Sequence, residues 1–193
     1  VPELIAVCRA HGAALMVDDA HGTGTLGATG RGITEHFSLI DDHPDILVAT
    51  SSKALGVEGG AVATSAPVAA LLRQKARTFV YSTSSTPATC AAVSAAIGVL
   101  EGDGSPVPAL HRNIRRLASQ LGMSEWASPI IPVPIGDEAQ AVNASAALRE
   151  AGYFVPAIRW PTVPRGAAML RVTVMATHTD AQIDGLADVI SRL

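Results

Sequence analysis

Short apolar runs alternate with longer helical stretches along the whole chain, and that alternation restricts it to an α/β fold. Residues 2–11 read as the end of a helix, stopped by Gly12. Residues 13–19 form an apolar run closed by two acids, the pattern of a buried strand. A glycine-rich loop follows over 21–32. Strands are predicted over 45–49, ending in the polar turn Thr50-Ser51-Ser52-Lys53, and over 59–64, with helices over 67–77 and 86–101. The stretch Glu101-Gly-Asp-Gly-Ser-Pro-Val-Pro108 is the best boundary candidate, which divides the chain into residues 1–102 and 103–193. Beyond it the pattern predicts a helix over 108–121, a strand over 129–135, a helix over 138–151 stopped at Gly152, strands near 153–159 and 168–174, and a last helix from about 179 capped by Thr179 or Asp180.

The composition, 48% hydrophobic with only 4% aromatic, supplies a core built from Ala, Val, Leu and Ile. A net charge of -3 gives no basic field for nucleic acid or an anionic membrane. No apolar run reaches about 18 residues, so no membrane span is expected. The two cysteines, Cys8 and Cys90, have no metal-ligand spacing and read as apolar fillers in a reducing, cytoplasmic compartment; no metal site is expected. The chain opens at Val1 directly into a helical pattern and shows no leader, which suggests that its natural N-terminus lies upstream.

Two motifs compete for the functional reading. Gly22-Thr-Gly24-Thr-Leu-Gly27 fits the dinucleotide fingerprint and follows a predicted strand, which is the case for a nicotinamide-dependent oxidoreductase. It then runs into Ala-Thr-Gly30-Arg31-Gly32, which cannot open the helix that a pyrophosphate needs, and Asp41, Asp42 and Asp45 precede a strand instead of ending one. The second motif is Val17-Asp18-Asp19-Ala20-His21-Gly22, followed downstream by Thr50-Ser-Ser-Lys53-Ala-Leu-Gly56. Two strand ends on one edge of an α/β sheet would gather an acid, an imidazole, a hydroxyl and an amine where ligands bind. Pyridoxal 5'-phosphate requires this set: a lysine for the imine, a carboxylate to keep the pyridine nitrogen protonated, and hydroxyls for the phosphate. Of the 14 basic side chains only Lys53 and Lys75 are lysines, and Lys75 lies on a solvated helix face.

These blocks, with Tyr81-Ser82-Thr83-Ser84, Pro161-Thr162-Val163-Pro164-Arg165-Gly166 and Leu170-Arg171-Val172-Thr173, resemble the α-oxoamine synthases. These are fold-type-I pyridoxal-phosphate enzymes that join an amino acid to an acyl thioester with loss of carbon dioxide. The resemblance runs from near Val1 to Leu193 and implies the second half of the large, mostly parallel sheet domain plus the small C-terminal α/β domain. Lys-Ala-Leu-Gly-Val-x-Gly and Thr173-Val-Met-Ala-Thr-His178 are nearest to the members of biotin synthesis, which condense L-alanine with a pimeloyl thioester carried on coenzyme A or on acyl carrier protein. The 5-aminolevulinate synthases remain the alternative within the family.

The resemblance assigns roles. Lys53 would hold the cofactor and shuttle the Cα proton. The acid three residues before His21 is Asp18, which would pair with the ring nitrogen; strand alternation separates it from its neighbour Asp19. His21 would contact the ring oxygen and Thr50, helped by Ser52, the phosphate. Ser82 would reach the phosphate of a partner subunit, implying a homodimer with shared sites. Thr162 would contact the substrate, and Arg171 would bind its carboxylate bidentately.

Overall fold

The structure is a computed structural model that describes residues 1–39, 41–123 and 125–193. It divides into two compact units, Val1–Val107 and Pro108–Leu193; the boundary expected at 102/103 falls in the turn before the helix that opens at Val107.

The first unit begins with α1 (Pro2–Ala10), where a proline at the first turn costs no intrahelical bond. The strand expected over 13–19 is shorter, β1 (Met16–Asp18). Its first residues are committed elsewhere: the Ala13 N–H donates to Cys8 O at 2.9 Å to close α1, and the Leu15 N–H donates to Asp45 Oδ2 at 2.8 Å. A loop and the single turn α2 (Ile33–His36) lead to β2 (Ile46–Thr50) and β3 (Gly60–Thr64). The sheet order is β1-β2-β3, with β1 parallel and β3 antiparallel to β2. Three helices follow: α3 (Ala66–Lys75), the short α4 (Arg77–Val80), which the sequence pattern did not predict, and α5 (Pro87–Glu101), capped by Thr86.

The expected burial of β1 does not hold within this chain. Met16 is 64% and Val62 48% exposed, and α3 and α5 bury no residue at all. The apolar character of these elements therefore has no counterpart among the described residues of the unit, whose only buried large apolar side chains are Ile5 and Val107.

The second unit holds the hydrophobic core. Its elements are α6 (Val107–Gln120), which opens at the boundary, then β4 (Ile130–Gly136), α7 (Glu138–Glu150), β5 (Ala157–Ile158), β6 (Ala168–Thr173) and α8 (Asp180–Ile190). The antiparallel sheet has the order β4-β6-β5. On β6 the alternation is clean, with Ala168, Leu170 and Val172 buried. Leu170 and Val172 pack with Leu117, Ile131, Leu148 and Ile183 from the strands and helices around them. Each fully buried aliphatic chain of this kind contributes about 1.5–3 kcal/mol. The strand expected over 153–159 reduces to two residues because its start is tied to α7: the Tyr153 N–H donates to Leu148 O, and Ser145 Oγ donates to Val155 O at 2.6 Å.

Polar ties close this unit. Thr179 and Gln182 form a reciprocal capping box at the start of α8. Asn113, fully buried, donates from Nδ2 to Met175 O and His178 O, each at 2.9 Å. Arg116 donates bidentately to Asp184 at 2.7 Å and also faces Asp180. Hydrogen bonds from Arg116 and then Gln120 hold the Asp184 carboxyl down at about 2.

Replacing Asn113 with Leu, which removes the buried donor that ties α6 to the carbonyls of Met175 and His178, should destabilise the fold by about 1–3 kcal/mol in denaturant melts. The depressed Asp184 pKa gives a signed pH dependence. Its contribution is present above the ordinary aspartate range and is lost as pH falls through that range toward about 2. The melting temperatures of the parent and the Asp184→Asn variant should therefore differ at pH 6 and converge on acidification below roughly pH 4.

Candidate active site

Parallel pairing of β1 with β2 brings two strand ends to one edge of the first sheet. Asp18 stands opposite Val48, so Asp18 and, two residues beyond Val48, Thr50 close their strands on the same side. His21 follows Asp18 in an exposed turn, and Lys53 follows Thr50 in another. The two turns touch, because Gly24 lies against Ala54: a Cβ on Gly24 would come 2.5 Å from that of Ala54.

The two adjacent acids separate as strand alternation requires. Asp18 is exposed and accepts the Ala20 N–H at 2.9 Å through Oδ1. Asp19 is buried, 4% exposed, and its Oδ2 accepts from Thr23 Oγ1 and from the Ile33 N–H, both at 3.1 Å. Burial pushes the Asp19 carboxyl above the usual aspartate range, against the pull of those two hydrogen bonds. Gly22 and Gly32 pack against this carboxylate so closely that a Cβ on either would overlap an oxygen. At Gly32 the φ of 78° adds a backbone conformation that disfavours any side chain.

The glycine-rich stretch is thus a folded loop rather than the mouth of a helix. The Gly24 N–H donates to Gly30 O at 2.8 Å, Thr23 bridges Arg31, and the Gly32 N–H returns to Leu26 O at 2.9 Å. Thr25 Oγ1 donates to His21 O at 2.6 Å. Glu35 accepts from the Thr29 and Arg31 N–H groups; burial pushes its carboxyl up, but these bonds prevail and hold it below the usual glutamate range. The helix into which the loop leads is the single turn α2, so the dinucleotide reading loses the long helix that its motif should open.

Thr50 Oγ1 lies 2.8 Å from Ser52 Oγ and donates to Gly59 O at 3.0 Å. Ser51 between them is buried, and its Oγ has no partner among the described residues. The turn is closed by Val57 N–H to Ser51 O and Gly56 N–H to Lys53 O. Lys53 is exposed and makes no ion pair among the described residues. Ser82, just after α4, is exposed. In the second unit, Thr162 is exposed in a turn closed by its N–H to Arg159 O at 2.9 Å. Arg171, half-buried on β6 opposite Pro132, meets no carboxylate among the described residues. No group of three or more His, Cys, Asp or Glu side chains suited to a metal ion occurs among the described residues.

The geometry therefore joins Asp18, His21, Thr50 and Lys53 through two adjacent strand ends. Sequence reading treated Asp19 only as the rival of Asp18 and missed its hold on the loop. The available signal was the pair Gly22 and Gly32 on either side of a fingerprint that opens no helix.

The family model for aminotransferase class I and II matches residues 1–190. A putative 8-amino-7-oxononanoate synthase of Desulfovibrio desulfuricans is 46% identical over 97% of this chain and 50% of its own length. The 8-amino-7-oxononanoate synthase of Thioalkalivibrio sulfidiphilus is 44% identical over 100% of the chain and 50% of its own length. Among solved structures, a Sphingomonas wittichii serine palmitoyltransferase superposes with a TM-score of 0.89 at 34% identity, over 98% of this chain and 49% of that one. The 8-amino-7-oxononanoate synthase of Francisella tularensis gives 0.82 at 28% identity, over 97% of this chain and 57% of that one. The chain spans about half the length of the curated relatives it matches. By this match over nearly its whole length, the chain belongs to the aminotransferase class I and II family.

Proposed function

We propose that the full-length protein is a pyridoxal-phosphate-dependent acyltransferase. It condenses L-alanine with a pimeloyl thioester, on coenzyme A or acyl carrier protein, to give 8-amino-7-oxononanoate, carbon dioxide and free thiol in biotin synthesis. The observation that carries this reading is Lys53: an exposed amine without an ion-pair partner among the described residues, set in the turn just beyond Thr50, which ends the strand that pairs with that of Asp18. The relatives named 8-amino-7-oxononanoate synthase, at 44–46% identity, support the choice of substrates.

The donor set fits pyridoxal 5'-phosphate. When bound, the cofactor supplies an electron sink for the carbanion at the amino acid's Cα. Lys53 would hold it through Nζ, and the same amine would take and return the Cα proton of the amino acid. Asp18, whose Oδ1 is already engaged by the Ala20 N–H, offers Oδ2 to keep the ring nitrogen protonated. His21 donates to the ring oxygen. The paired hydroxyls of Thr50 and Ser52 bind phosphate oxygens. Ser82 serves the phosphate of a partner subunit, which makes the assembly a homodimer with shared sites. The exposed apolar faces of α3 and α5 and of β1–β3 support packing against the rest of the full-length protein and that second subunit. Arg171, with no carboxylate partner among the described residues, binds the substrate carboxylate, and Thr162 contacts the same substrate. No helix of the described residues is long and apolar enough to cross a membrane, and the proposed location is the cytoplasm.

A second reading keeps the cofactor and changes the substrates. The solved serine palmitoyltransferases superpose with TM-scores of 0.89–0.90, above the 0.82 of the Francisella tularensis synthase. This supports a sibling acyltransferase that takes serine or, like the 5-aminolevulinate synthases, glycine.

With full-length protein and a pimeloyl thioester, alanine should give product by mass and perturb the bound cofactor's visible absorbance; a clear preference for glycine or serine would favour the sibling reading. Borohydride reduction followed by peptide mass analysis should place the cofactor on Lys53, and Lys53→Ala should lose roughly 10³-fold or more in rate. Arg171→Lys, which gives up bidentate geometry, should raise the KM for alanine by about tenfold.

A further inference from the structure

The loop that imitates a dinucleotide fingerprint is fastened at both ends to one side chain. Thr23, near its entry, and Ile33, at its exit, both donate to Oδ2 of Asp19. Gly22 and Gly32 close on the same carboxylate from the two strands of the loop, and neither could carry a Cβ there. The Asp19 backbone is itself held to the neighbouring strand, its N–H donating to Val48 O at 2.8 Å. The buried carboxylate is thus the fixed point of the loop, at the junction of β1 and the turn that carries His21.

Gly24 follows directly on Thr23. Its φ of 83° and its 2.8 Å bond to Gly30 O set its backbone against Ala54, the residue after Lys53. The contact is close enough that no side chain fits between them. The lysine turn has only a few bonds of its own, among them Gly56 N–H to Lys53 O at 3.1 Å and Val57 N–H to Ser51 O at 2.9 Å. It therefore leans on the loop.

We infer that Asp19 is a positioning residue for Lys53: its carboxylate locks the 22–33 loop, and the locked loop holds the lysine turn in place through the Gly24–Ala54 contact. The inference deepens the proposed function and rests on Lys53 being the cofactor lysine. Asp19 touches neither substrate nor cofactor in this account. Its effect reaches the reacting atoms through the geometry of the amine, where a displacement of about 1 Å can cost on the order of 100-fold in rate.

The test uses full-length protein with Asp19→Asn and, as the milder change, Thr23→Val, which removes a single hydrogen bond to the carboxylate without altering volume. Amide hydrogen exchange over residues 51–57 is measured without added cofactor. With pyridoxal 5'-phosphate bound, the pH midpoint of its visible absorbance is measured, together with kcat and KM for alanine. Both variants should speed exchange over 51–57 by about tenfold, move the midpoint by more than about 0.5 pH unit, and lower kcat more than they change KM. Faster exchange confined to 19–33, with 51–57 and the midpoint unmoved, would overturn the inference and leave Asp19 a purely structural residue. If Asp19→Asn does not fold, Thr23→Val decides the matter by the same readings. A parent protein that binds no pyridoxal 5'-phosphate at Lys53 would sink the proposed function instead, and the exchange measurement would still decide whether Asp19 governs the lysine turn.

Discussion

Parallel pairing of β1 with β2 is the constraint on which the first unit depends. Two parallel strands cannot be joined by a tight turn, so the chain must cross over between them, and the residues of that crossover are spent on the carboxyl edge where both strands end. The loop from Asp19 to Ile33 is the part of the crossover that stays at this edge. Its tight folding places His21 beside one strand end and Gly24 against the turn that follows the other. The edge becomes a site because the connection is packed into it, with a buried acid at the base of the loop and an exposed acid one residue before it.

Much of this was legible in the sequence. The helix and strand order emerged from periodicity, and the separation of Asp18 from Asp19 followed from the two-residue repeat of a strand. Lys53 stood out through its scarcity and its setting among small polar residues. What could not be read was local commitment of backbone groups. Residues 13–15 look like strand, yet Ala13 and Leu15 give their N–H groups to a helix end and to a carboxylate. Residues 153–155 look like strand, yet Ser145 takes the Val155 carbonyl and α7 takes the Tyr153 N–H. Hydropathy is blind to such bonds. The fingerprint-like glycines misled for a related reason: a glycine needed for close approach to a phosphate and one needed for close approach to a carboxylate are written with the same letter.

The two units differ in how completely they satisfy their own apolar residues. The second has a continuous core around β6 and closes its helix ends with capping and ion pairs. The first has a well-bonded edge and an open apolar remainder, and the residues proposed to hold the cofactor lie at or just after strand or helix ends within it. Rigidity at that edge comes from hydrogen bonds and glycine contacts rather than from side-chain packing, so polar substitutions near the loop carry more structural weight than their exposure suggests.

Asn113 ties α6 to carbonyls 62 and 65 positions further along the chain. During synthesis α6 is complete long before those carbonyls exist, and β4 likewise waits for β6, its neighbour in the sheet. The second unit consequently has high contact order: its closure is governed by bringing distant segments together rather than by forming helices. Until the segment that carries β6 and α8 is made, the Asn113 amide of α6 lacks its carbonyl partners and its apolar face lacks cover. The segment from β6 to α8 is therefore the latch of the unit's folding, and a nascent chain stalled before it exposes apolar surface of the kind that invites aggregation.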